Sequence, residues 1–114
     1  MQIQVNTDHN IEGREAMVSH VRSTVEAALS RVRDRITRVE VHLSDENGDK
    51  GGPNDKRCVM EGRLESRQPV AVTENAETVE QAVDGAADKL ARLIESTIER
   101  LGDEGRRRTD PAVP

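Results

Sequence analysis

Phenylalanine, tyrosine and tryptophan are all missing from this chain of 114 residues. Their absence argues against recognition of single-stranded nucleic acid by base stacking, which needs π faces. It argues equally against a large ligand pocket, since such pockets are usually lined with aromatic side chains. Any core must be built from Val, Leu, Ile, Met and Ala on a sheet and long helices. Cysteine occurs once, which excludes an internal disulfide and fits a reducing, cytoplasmic setting. No apolar run approaches the roughly 20 residues of a membrane helix. The opening MQIQVN has neither the basic start nor the apolar stretch of a secretory leader. Positive charge is in the minority: 17 Lys and Arg stand against 22 Asp and Glu, a formal net charge of −5. An RNA binder normally carries a basic footprint, so such a role here would depend on where the charges lie rather than on their sum.

What is present is strong patterning. Met1 to Asn6 alternates with Ile3 and Val5 on one face, which predicts a strand at about 2–6. A helix is expected over 14–33. A second strand at 36–44 puts Val39, Val41 and Leu43 on one face and Arg38, Glu40 and His42 on the other. A third at 56–65 turns Cys58, Met60, Gly62 and Leu64 inward. After the short loop Ser66–Arg67–Gln68, Pro69 opens a strand at 69–73, at an edge where its missing amide is tolerated. The second helix, 78–101, begins with a capping box: Thr78 accepts from the Gln81 amide and the Gln81 side chain reaches back. Its stripe is Val79, Ala82, Val83, Ala86, Leu90, Leu93, Ile94, Ile98 and Leu101. The order is β-α-β-β-β-α. It predicts a two-layer α/β (α+β) sandwich, with a parallel β-α-β crossover, an antiparallel meander and both helices on one face of a four-stranded sheet. Without its first strand this is the order of a double-stranded-RNA-binding domain. One domain over 1–102 is expected, followed by a disordered tail, 103–114. Ser44 to Asp55, rich in Gly and acids, should be a mobile connection.

No constellation points to catalysis. The loop from Asp45 to Lys56 superficially suggests a calcium site, but Lys50 stands where Gly is required and Lys56 where a bidentate Glu belongs. Gly51–Gly52 lacks the Gly-Lys-Ser/Thr ending of a phosphate-binding loop. Cys58 is expected to be a buried, inert thiol, with His42 on the opposite sheet face. His9 and His20 have no patterned partners. No cofactor, metal or small-molecule substrate is therefore expected.

The run PVAVTENAETVEQAVDGAADKLARLIESTIERL from Pro69 to Leu101 resembles the ribosome hibernation-promoting factors, also called ribosome-associated translation inhibitors. The resemblance rests on Asp84–Gly85, on Asp88-Lys89-Leu90-Ala91-Arg92, and on Asp34-Arg35-Ile36 leading into Val39, Val41 and Leu43. It covers roughly residues 1 to 102 and lies in the order and spacing of all the elements. It implies a non-enzymatic factor that binds the small ribosomal subunit and its rRNA, and blocks the mRNA and tRNA channel in starvation or stationary phase.

Two groups of basic residues become the candidate rRNA contacts. On the second helix Lys89, Arg92 and Arg100 form a ridge, with Asp84, Asp88, Glu95 and Glu99 in the neighbouring arc. On the first helix and its exit lie Arg22, Arg31, Arg33, Arg35 and Arg38. Each group also has a structural interpretation: an Asp88–Arg92 pair at i,i+4 on a solvated face, and Arg31 and Arg33 placed in a last turn where cations suit the helix dipole. The alternative function is an acidic relative without strong ribosome affinity, acting as a protein-interaction or weakly homodimerising stress module.

Overall fold

The computed structural model describes residues 1–8, 14–45, 55–65 and 67–109, with 101–109 described by backbone alone. The elements run β1 (Gln2–Thr7), α1 (Arg14–Ala28), a 3₁₀ turn (Arg33–Arg35), β2 (Ile36–Asp45), β3 (Lys56–Leu64), β4 (Val70–Ala76) and α2 (Val79–Thr109). The sheet order is β1-β2-β3-β4, with β1 parallel to β2 and the other pairs antiparallel. The expected two-layer α+β architecture is the one observed.

The single apolar face of each element explains the packing. Val39, Val41 and Leu43 of β2 lie opposite Gly62, Met60 and Cys58 of β3, and all are buried. Val21, Val25 and Leu29 from the first helical segment join Ala82, Val83, Ala86, Ala87, Leu90 and Ile94 of α2 in the same core. Gly62 lets α2 pack closely on the sheet, because a side chain there would press on Ile94. A Cβ there would stand 3.1 Å from Ile94 Cδ1 and 3.5 Å from Leu90 Cδ1. A slip in register between Ile36 and Arg38 sets both Ile36 and Val39 inward and leaves Arg38 on the outer face.

Several bounds differ from the expectation. The first helix ends at Ala28, not at residue 33. Leu29 still donates back to Val25, but Val32 and Arg35 then make tighter i to i−3 bonds to Leu29 and Val32. These 3₁₀ turns bring the chain from the helix layer down to β2 while keeping Leu29 buried. Arg31 and Arg33 are therefore exit-turn residues, and the dipole argument for them lapses. The fourth strand is displaced to Val70–Ala76, and α2 continues to Thr109, into the stretch expected to be tail. Thr78 caps α2 by accepting from the Gln81 amide at 3.1 Å; the reciprocal bond is not among the described contacts. Leu93 is only half-buried, because it sits at the border of the stripe. The connection 46–54, His9 and Ser66 lie outside the described residues.

Cys58 is fully buried, and that burial, with the Glu74 charge adding to it, pushes its thiol up to about 12. Thiolate is the reactive form, so at pH 8 the native thiol should react with a disulfide reagent roughly a thousandfold more slowly than in the unfolded chain. Thiol titration with and without urea checks this. Because the folded value is raised, the protonated thiol favours the fold fully below the unfolded thiol's range, and this contribution fades as pH rises through about 12.

Candidate nucleic-acid interface

The topology sorts charge by position along the strands. β1 begins, β2 begins and β3 ends at one pole of the sheet, because Gln2 is in register with Arg38 and Ile36 with Leu64. The exit turn from α1 lies at this pole, held to the β3–β4 connection by the Glu65 amide, which donates to the Arg35 carbonyl at 3.2 Å. Arg31, Arg33 and Arg35 are exposed there, and no described residue pairs with their guanidiniums. Arg67 is exposed beside them, its amide bonded to the Leu64 carbonyl. From its position in the sequence Arg67 belongs only to a short hairpin loop. What identifies it as part of this cluster is the antiparallel register, which residue spacing alone does not reveal. The nearby acids Asp34 and Glu65 moderate the cluster without pairing to it.

The opposite pole gathers three aspartates around Lys56, with Arg57 exposed next to it. Asp8 accepts from the Asp45 amide at 3.2 Å, and Lys56 Nζ lies 3.2 Å from Asp45 and 3.0 Å from Asp55. The Asp55 hydrogen bond, opposed by desolvation and aided by Asp45, raises the Lys56 pKa. That lysine is held by two buried carboxylates. Among the described residues no cluster of three or more His, Cys, Asp or Glu is arranged to hold a metal ion, and no helix is long and apolar enough to cross a membrane. A chain with net charge −5 thus presents a cluster of arginines at one end, while the aspartates of the other end are drawn in around Lys56.

The remaining candidates are more committed. Lys89 Nζ is paired with Glu74 on β4 and donates to the Thr73 carbonyl at 3.2 Å, so it fastens α2 to the edge strand. The Glu74 carboxylate lies over Gly85, where a Cβ would push that flexible side chain away from Lys89. Arg92 pairs with Asp88 at 2.9 Å across one turn, and Arg100 reaches Thr97 Oγ1 at 3.5 Å. The expected ridge on α2 is thus largely self-neutralised. Arg38 bonds Glu40 at 3.1 Å, and Glu40 lies 3.6 Å from Arg63, which contacts Glu61 at 3.3 Å. This ion ladder crosses the open face of the sheet. Arg22 has no described partner and lines a cleft of about 460 Å³ with Arg38, Glu26, Gln2 and Gln4 at the β1 edge. The structure therefore brings Arg31, Arg33 and Arg35 together, places Arg22 and Arg38 on their flank, and sets Lys89 and Arg92 apart.

Residues 3–102 match the profile of the family described as sigma 54 modulation protein / S30EA ribosomal protein. A comparison with curated protein sequences finds no match. Among solved structures, the fold is similar to the N-terminal domain of Protein Y from Thermus thermophilus, with TM-score 0.68 and 24% identity, covering 85% of this chain and 99% of that one. It is also similar to a ribosomal subunit interface protein from Coxiella burnetii, with TM-score 0.65 and 16% identity, covering 87% of this chain and 99% of the other.

Proposed function

Because the chain belongs to the sigma 54 modulation protein / S30EA ribosomal protein family, we propose that it binds the small ribosomal subunit through its arginine-bearing pole and occludes the channel used by mRNA and tRNA. The family's description names a ribosomal protein, and the Coxiella burnetii neighbour is a ribosomal subunit interface protein. The observation that supports this mode of binding is the set of exposed guanidiniums of Arg31, Arg33, Arg35 and Arg67 at one end, with which no described residue pairs. Each guanidinium is always charged and offers a planar fork of donors matched to phosphate. Hydrogen bonding to backbone phosphates needs no aromatic platform, so the missing Phe, Tyr and Trp are no obstacle to this mode. No bond is made or broken; inhibition follows from occupied space. Such a factor would act in the cytoplasm and silence ribosomes in starvation or stationary phase.

The second reading, an acidic interaction module without strong ribosome binding, is favoured by the engagement of Lys89 and Arg92 with Glu74 and Asp88. The two separate in a filter-binding assay on purified small subunits. Saturation with the protein should displace mRNA and initiator tRNA in proportion to occupancy. Unchanged mRNA and tRNA binding on saturated subunits would refute occlusion.

A further inference from the structure

The cleft at the β1 edge combines two chemistries that the arginine pole does not. Arg22 and Glu26 lie one turn apart on α1, a spacing at which such residues ordinarily pair. Here they form no described ion pair, and both line the cleft with Arg38. Arg38 uses one terminal nitrogen on Glu40 and keeps further N–H donors. The cleft, about 460 Å³, falls within the range of sites for small organic ligands. Its lining is polar apart from Met1 and Ile3, with the Gln2 and Gln4 amides at its edge. A purely anionic ligand would use the arginines but meet Glu26 unfavourably. A ligand with a phosphate at one end and paired N–H donors at the other suits Arg22, Arg38 and Glu26 together, and the Met1 α-ammonium at the cleft adds to the attraction for phosphate.

We propose that this cleft takes a guanine ribonucleotide, carried in an RNA chain or free, with Arg22 and Arg38 on the phosphate and Glu26 on the base. The proposal rests on the RNA reading above and adds a base-selective subsite beside the arginine pole. Guanine offers two adjacent N–H donors on its Watson–Crick edge, which one carboxylate accepts together. Uracil offers a single N–H between two carbonyl oxygens, which a carboxylate repels. With no aromatic residue to stack on, selection here rests on edge hydrogen bonds, the ordinary route for an unpaired, splayed-out base. The cleft opens at the pole where β1 and β2 begin, so one RNA strand crossing Arg31, Arg33 and Arg35 could place a nucleotide in it.

Fluorescence anisotropy with labelled hexanucleotides tests this, using hexauridylate and the same strand carrying one central guanine. The wild-type chain should prefer the guanine strand by about 5- to 100-fold, the range for one bidentate base contact. Glu26→Ala should bring that ratio below about twofold without weakening hexauridylate, because a charge that repels phosphate is removed with the acceptor. Arg22→Gln should weaken both strands by the same factor and keep the ratio. Both side chains are exposed, and circular dichroism checks that each variant folds. Guanosine monophosphate as competitor separates the sources: displacement assigns the cleft to free nucleotides as well, and its failure restricts the site to RNA chains. A wild-type ratio near one, or a ratio unchanged by Glu26→Ala, overturns the subsite. If small subunits still bind under those conditions, only the subsite falls. If neither hexanucleotide nor subunit binds, the RNA reading fails and takes the subsite with it.

Discussion

Replacing Leu90 with Ala should lower stability by about 2–5 kcal/mol, the usual cost of truncating a buried leucine. Leu90 is fully buried on the sheet-facing side of α2, and its two methyl groups lie 3.5 and 3.6 Å from where a Gly62 Cβ would stand. Gly62 offers no side chain that could swing into the void. The nearest help is Ile94, which already packs over the same glycine. In a core without aromatic rings each aliphatic anchor carries a larger share of the burial, so little compensation is expected. Urea melts measure the loss. A change below about 0.5 kcal/mol would mean that the cavity closes or that Leu90 is not the anchor the packing makes it.

Reversing Arg31, Arg33 and Arg35 together to Glu should weaken binding to small subunits about a hundredfold or more at about 50 mM salt. Neutralising Lys89 and Arg92 to Gln should change it by less than about threefold. The contrast follows from partners rather than from charge: the first group has none among the described residues, and the second is held by Glu74, Thr73 and Asp88. Arg67→Glu alone should act in the same direction as the triple reversal and by less. Pelleting with purified subunits provides the comparison. Equal losses from both groups would move the interface onto the face of α2.

The architecture could be read from the sequence because its determinants are local and periodic. The alternation of Val39, Val41 and Leu43 and the stripe from Val79 to Ile98 identify faces without any tertiary information. The exit from α1 could not be read that way. Residues 29–35 have no apolar break to mark the end of the helix, and the switch to 3₁₀ bonding answers a distance between layers that only the folded chain defines. The site was half legible for the same reason. Arg31, Arg33 and Arg35 are close in sequence and so could be grouped. Arg67 joins them through the pairing of Ile36 with Leu64. Lys89 looked free on a helical wheel, but its partner Glu74 belongs to the preceding strand and lies over Gly85. The basic end of a chain with net charge −5 is a product of topology: the exit from α1 and the β3–β4 connection deliver arginines to one pole, and β1, β2 and the start of β3 bring Asp8, Asp45 and Asp55 to the other.

The salt dependence of binding between the unmodified chain and purified small subunits tests the central claim most directly. If Arg31, Arg33, Arg35 and Arg67 each neutralise one phosphate, log K should fall linearly with log salt with a slope of about −2.8 to −3.6. Affinity should then drop roughly 50- to 150-fold between about 50 and about 200 mM salt. A slope near zero, or no binding at about 50 mM, would contradict an arginine pole acting on RNA.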